Sequence, residues 1–208
     1  MSKTYCYDYP RPAVTVDIVV FSLAGDTLEV ALVRRKRDPF AERWALPGGF
    51  LDIDEPIEAA ARRELREETG LALTGPVAQI GVFGAPGRDP RGRTISIVHA
   101  AVCRGPAPAL LGADDAAEAA WHASMKVKDL AFDHDEILRT ALEWLERELD
   151  AGTACLALLP ATFRDDDVRA LYRAVKGSAR SAHAWRKRMQ RSGLVVASEG
   201  EEGGYRSV

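Results

Sequence analysis

Apolar, β-branched residues run from Ala13 to Ser22, break at Ala24-Gly25-Asp26 and resume from Leu28 to Val33, a pattern that predicts a β-hairpin or two adjacent strands. Pro47-Gly48-Gly49 is a tight backbone break. From Glu55 to Thr69 there is one proline at the very start and no glycine until Gly70, the residue type that commonly follows a helix end, so this stretch is predicted to be a helix. Val77 to Phe83 and Arg93 to Cys103 read as two further strands, joined by a Gly/Pro/Arg-rich loop from Gly84 to Gly92 that carries too much charge to be buried. Asp133 and Glu136 resemble a capping box, and Ile137, Leu138, Ala141, Leu142 and Leu145 then recur at helical spacing up to Asp150-Ala151-Gly152. Beyond it, Val168, Leu171, Tyr172 and Val175 form another apolar stripe ended by Gly177. A further helix is expected from about Arg180 to Ser192, and a hairpin from Leu194 to Ala197 and Tyr205 to Val208 across a glycine-rich acidic turn. The Ala/Pro-rich stretch from Gly105 to Ala120 reads as a surface loop, and no internal repeat is evident.

The chain has 208 residues, 47% hydrophobic and 28% charged, enough for one domain of about 150 residues plus a small module. Its apolar runs fall well short of the roughly 20 residues that span a bilayer, and Met1 to Pro12 lacks the apolar run of a secretory signal, so neither a membrane nor export is expected. Cys6, Cys103 and Cys155 are odd in number and widely spaced, which fits neither a disulfide framework nor a zinc site and points to a reducing cytoplasm. Charge is uneven: residues 1–155 carry 18 Lys+Arg against 25 Asp+Glu, and residues 156–208 carry 10 against 6. An acidic body (1–152) with a basic tail (153–208) is the expected organisation, and the basic tail can mark a nucleic-acid partner.

Chemistry concentrates in the segment from Gly49 to Leu71. On a helix, Glu64, Glu67 and Glu68 fall within an arc of about 100°. Like charges at these spacings destabilise an isolated helix by roughly 0.2–0.5 kcal/mol per pair, and a divalent cation would reverse that sign. Oxygen ligands without His or Cys suit magnesium (Mg2+) or manganese (Mn2+). Set against a plain solvated face, the whole pattern decides: Gly49, Glu55, Arg63, Glu64, Leu65, Glu67, Glu68, Gly70 and Leu71 fill every fixed position of the Nudix box, and the chain resembles the Nudix hydrolases. That resemblance implies an α/β/α sandwich with a mixed sheet and cleavage of nucleoside diphosphates linked to another moiety. Glu64, Glu67 and Glu68 would hold the metal, Arg63 would orient a carboxylate, and Glu55 would brace the loop. The base that takes the attacking water's proton stays open between one of the clustered glutamates and an acid on a loop. Asp115 and Glu118 lie in the region where such a base could arise, and read as loop or helix-cap acids.

Further stretches, Arg11 to Asp17, Trp44 to Phe50, Gly87 to Arg93 and Phe132-Asp133-His134, look like the ADP-ribose pyrophosphatase branch of that family over about residues 10–150. By that likeness the candidate substrate-binding residues are Arg88, Arg91 and Arg93, with Arg35 and the backbone at Gly48 and Gly49, because guanidinium forks match phosphate oxygens. His134 reads as a first-turn helix residue, and Trp44 and Trp121 as packing groups. In the last helix Arg180, His183, Lys187 and Arg191 span about 80°, with Trp185 and Met189 nearly opposite. Residues 177–198 hold five Lys+Arg and no acid, the footprint of a helix against phosphates. Two helices meeting at Gly177-Ser178 and followed by a hairpin predict a small, reduced winged helix-turn-helix that binds double-stranded DNA. This order of parts is similar to the Nudix-related transcriptional regulators of NAD metabolism, which sense ADP-ribose or related nucleotides. The expected activity is a magnesium-dependent pyrophosphohydrolase acting on ADP-ribose or a near relative. The alternative is a nucleotide-sensing DNA-binding regulator, and a homodimer is expected in either case.

Overall fold

The structure, a computed structural model, describes residues 6–105, 107–112, 116–151, 154–198 and 204–207. The body holds strands β1 (Ala13–Ala24), β2 (Thr27–Arg35), β3 (Trp44–Ala45) and β4 (Gly48–Phe50), helix α1 (Ile57–Thr69), strands β5 (Ala78–Phe83), β6 (Thr94–Val102) and β7 (Ala116–Ala123), and helix α2 (His134–Ala151). One sheet runs β3-β2-β1-β6-β5, with β4 also on β1 and β7 on β2. β1 and β6 are parallel from Ala13↔Thr94 to Phe21↔Val102 and the other pairings are antiparallel, so the sheet is mixed.

Strand alternation explains the layers, because successive side chains face opposite sides of a sheet. Val16, Ile18 and Val20 of β1 pack with Ala60, Ala61 and Leu65 of α1. Val19 and Phe21 pack with Ile137, Ala141 and Leu145 of α2. β1 is therefore apolar on both faces, as its unbroken run requires. The exception is Asp17, a buried carboxylate within that run. The result is the α/β/α sandwich.

Three local expectations are corrected. Residues 116–123 are strand rather than surface loop, with β7 paired to β2 from Glu29↔Ala123 to Arg35↔Ala116. The Gly84 to Gly92 loop is not wholly solvated: the Arg88 side chain is 5% exposed, and Asp89 is buried against Arg91. Paired charge can be buried where lone charge cannot. The Asp133 carboxylate does not close a capping box, because both its oxygens accept from Arg88 at 2.8 and 2.6 Å.

After α2 come a 3-10 turn (Ala154–Leu158), strand β8 (Thr162–Phe163), helices α3 (Asp165–Lys176) and α4 (Ala182–Arg191), and strands β9 (Val195–Ala197) and β10 (Tyr205–Ser207). The second sheet is β8-β10-β9, so the hairpin has the expected partners plus a short strand whose two residues gave no pattern. α3 ends at Gly177, whose φ of 67° is the left-handed turn that glycine adopts without strain. α4 starts at Ala182, which leaves Arg180 in the preceding turn rather than on the helix. Two helices and a three-stranded sheet make the winged helix-turn-helix. The acidic turn 199–203, Val208, Asp115 and the boundary at 152 and 153 lie outside the described residues. One hydrophobic cluster nevertheless includes Phe21 and Leu145 of the body together with Leu171 and Trp185 of the tail. α2 is held at both ends. His134 and Asp133 tie its start to the body, while Asp150 near its end accepts from Lys176 of α3 at 2.8 Å and, through its backbone oxygen, from Arg188 of α4.

Candidate functional site

β4 lies against β1 with Asp17↔Gly48, Val16↔Gly49 and Thr15↔Phe50 in register, and α1 packs behind it. A side chain at Gly48 would meet backbone, and one at Gly49 would displace the end of the Glu64 side chain. A Cβ on Gly48 would strike the Val16 backbone oxygen, and one on Gly49 would stand 2.5 Å from the Glu64 carboxylate. The Gly48 amide instead donates to Glu68 Oε2 at 3.0 Å.

Arg63 is the hub of the acidic residues. Its Nε and Nη2 donate to the two Glu55 oxygens at 3.0 and 2.5 Å, and Nη1 donates to Glu64 at 2.7 Å and Glu67 at 3.0 Å. Nη2 also reaches the Phe50 carbonyl at 3.2 Å, and Glu55 Oε1 accepts from the Asp52 amide at 3.0 Å. Glu55 is thus tied to the loop at Asp52, and Arg63 is bonded to three carboxylates. The Arg63 hydrogen bonds hold Glu55 below the usual carboxylate range. Burial pushes Glu64 up against the opposing pull of Arg63. Glu68 is pushed up to about 8, first by burial, then by the charges of Glu64 and Asp17, with the Gly48 amide opposing.

Glu64 and Glu68 face a cavity of about 430 Å³, whereas Glu67 is drawn aside toward Arg63 and does not line it. Among the described residues, no three acidic, His or Cys side chains gather closely enough to form a metal cage. The donor set nonetheless fits a divalent cation: hard oxygens only, one of them oriented by an amide, on a Glu68 whose pKa is raised first by burial and then by the charges of Glu64 and Asp17.

The same cavity also has a basic wall. Arg35 and Arg91 line it, with Lys36 and Arg37 beside them. Arg91 is oriented by Asp89 at 2.7 Å, and Arg35 Nε donates to the Pro39 carbonyl at 2.9 Å. Two expected substrate residues stand differently. Arg88 lines the cavity but is committed to Asp133 and, at 3.5 Å, to Asp17. Arg93 donates to the Gly84 carbonyl and is not part of the lining. Glu118 is in β7 with its carboxylate 3.8 Å from Arg34, on neither a loop nor a helix cap.

Asp17, Phe132 and His134 line the same cavity; the first two take no role from the sequence, and His134 is the first-turn helix residue expected. A usable signal for Asp17 was a lone carboxylate inside an otherwise apolar strand. His134 is buried as the first residue of α2. Its Nδ1 accepts from the Leu46 amide at 2.9 Å, which leaves the proton on Nε2, 3.6 Å from Asp17. Burial lowers its pKa, so it is neutral.

In the tail, Trp185 and Met189 are buried, and Trp185 meets Tyr172 edge-on at 6.2 Å. Arg186 turns inward to an ion pair with Asp165 at 2.5 Å. Arg180, His183, Lys187 and Arg191 remain exposed.

The NUDIX domain family matches residues 11–145. The ADPR responsive transcriptional repressor NtrR of Acinetobacter baylyi is 31% identical over 196 residues, 92% of this chain and 78% of that protein. The ADP-ribose pyrophosphatase of Methanocaldococcus jannaschii is 39% identical over 136 residues, 65% of this chain and 76% of that enzyme. The crystal structure of a MutT/nudix family protein from Enterococcus faecalis superposes with a TM-score of 0.85 at 28% identity, covering 99% of this chain and 90% of that one.

Proposed function

The chain belongs to the NUDIX family, and from that premise we propose that it hydrolyses ADP-ribose or a closely related nucleoside diphosphate derivative in a magnesium-dependent reaction. The observation that carries this reading is one cavity lined both by Glu64 and Glu68 and by Arg35 and Arg91. A diphosphate needs both: cationic forks for its oxygens, and an acidic pole where a divalent cation and a water meet the phosphorus. Water attacks one phosphorus, the bridging P–O bond breaks, and ADP-ribose yields AMP and ribose 5-phosphate. Glu64, Glu67 and Glu68 would hold a magnesium or manganese ion, Glu67 by turning from Arg63 into the cavity, and such an ion would supply Lewis-acid charge to the diphosphate and lower the pKa of the attacking water. Arg63 keeps Glu64 and Glu67 in place, and the Gly48 amide fixes Glu68. Arg35 and Arg91, with the backbone at Gly48 and Gly49, bind the anionic substrate. Arg88 serves by holding its loop against Asp133. Hydrolysis of ADP-ribose, NADH, nucleotide sugars and dinucleoside polyphosphates, followed with and without magnesium, tests the reading. No magnesium-dependent release of a nucleoside monophosphate from any of them would end it.

A second reading is favoured by the exposed basic face of α4 and by likeness to a repressor along nearly the whole chain. In it the protein binds double-stranded DNA through Lys187, Arg191, His183 and Arg180, with the cavity as nucleotide sensor. Lys187→Ala and Arg191→Ala should each weaken duplex binding and reduce the slope of log affinity against log salt by about 0.9 per lost phosphate contact, leaving hydrolysis unchanged. Fluorescence anisotropy across a salt series on the chain's own promoter region measures this. An unchanged slope in both variants would remove α4 from the interface. A homodimer in a reducing cytoplasm fits both readings, and no helix among the described residues is long and apolar enough to cross a membrane.

A further inference from the structure

Phe132 lines the cavity beside two of its arginines. The Arg35 guanidinium carbon is 4.8 Å from its ring centroid and that of Arg91 is 5.6 Å away, both within cation–π range. Phe40 meets the same ring edge-on at 4.8 Å and fixes its plane. The backbone is also committed. Phe132 has φ 55°, a left-handed conformation that a bulky aromatic residue rarely adopts. It is held there by bonds on either side, Ala131 N to Trp44 O at 2.8 Å and His134 N to Ala131 O at 3.1 Å. Such backbone persists where its surroundings over-determine it, and it clusters at ligand sites.

We propose that Phe132 is the positioning residue of the basic wall, its ring holding Arg35 and Arg91 in the cavity so that both guanidinium groups meet the diphosphate of one bound nucleotide. This rests on reading the cavity as a nucleoside diphosphate site. Arg35 is anchored on the Pro39 and Arg37 carbonyls at 2.9 and 3.4 Å, Arg91 on Asp89 and over the Phe50 ring at 5.4 Å, and Phe132 is the ring that the two arginines share. Long cationic side chains lose rotamer freedom on binding, so pre-setting two of them on one ring lowers the cost of engaging phosphate. The ring itself meets no reacting atom, so its effect falls on binding rather than on bond breaking.

The test is calorimetric binding of ADP-ribose to the full chain without metal, alongside steady-state hydrolysis with magnesium. Phe132→Leu keeps an apolar side chain and removes the π face. It should weaken binding about tenfold and raise KM in proportion, with kcat within about twofold of wild type. Phe132→Tyr keeps the face and should restore binding and KM. Phe132→Met replaces Leu in the comparison if the Leu variant does not fold. Equal losses in the Leu and Tyr variants would assign the ring to packing and overturn the proposal, as would wild-type affinity in the Leu variant. If the wild-type protein neither binds nor cleaves ADP-ribose, the reading of the cavity falls and this inference falls with it.

Discussion

Glu68→Gln will lower turnover of ADP-ribose by about 100-fold or more at saturating magnesium, equivalent to roughly 2.7 kcal/mol of barrier, while the folded protein becomes no less stable. The two halves of that expectation share one cause. Glu68 is buried beside Glu64 and Asp17, and its pKa is already pushed up to about 8. The amide keeps an oxygen for the Gly48 N–H and sheds the charge that its neighbours oppose. The same charge is what a cation and an attacking water require. Thermal melting without metal should therefore show an equal or higher midpoint, and single-turnover kinetics with magnesium should show the loss. Turnover within about threefold of wild type would remove Glu68 from the catalytic set.

Arg88→Ala will destabilise the protein by about 3–5 kcal/mol, the range for removing one partner of a buried ion pair. At about 2–4 °C per kcal/mol for a chain of this size, the melting midpoint should fall by roughly 6–20 °C. The Arg88 side chain is 5% exposed and faces two carboxylates, Asp133 at 2.6 Å and Asp17 at 3.5 Å. Its loss strands both in a low-dielectric setting. A companion change, Asp133→Asn in the Arg88→Ala background, should recover part of the midpoint by discharging one of the two. If Arg88→Ala melts like wild type and only KM rises, Arg88 belongs to the phosphate-binding set and the structural role fails.

Helix α1 and its carboxylates were legible because they are local. Arg63, Glu64, Glu67 and Glu68 share one α-helix, and the Glu55–Arg63 pair spans only eight residues. The other half of the cavity is assembled across long sequence separations that leave no periodic trace. Leu46 and His134 meet over 88 residues, Asp17 and Ser96 over 79, Arg88 and Asp133 over 45. Arg88 looked solvated because charge reads as exposure until its partner is known. β7 was invisible for a different reason: in Ala-Ala-Glu-Ala-Ala-Trp-His-Ala, alanine occupies both faces, so alternation carries no signal and pairing with β2 alone makes the segment a strand. The tail was readable where stripes ended in glycine, at α3 and α4. It was unreadable at β8, whose two residues acquire strand geometry only by joining β10.

Helix α2 begins at the cavity wall with His134 and ends near Asp150, which both helices of the tail grip. Eighteen residues at about 1.5 Å each make a strut of about 27 Å between the cavity and the helices of the tail. Thermodynamic reciprocity then applies to its two ends. Whatever factor an occupied pocket imposes on affinity for duplex DNA, the duplex must impose in the same direction and size on affinity for the nucleotide. A titration from either end measures one and the same coupling free energy, and turnover of the nucleotide would act on that coupling as a timer, releasing it at the rate of hydrolysis.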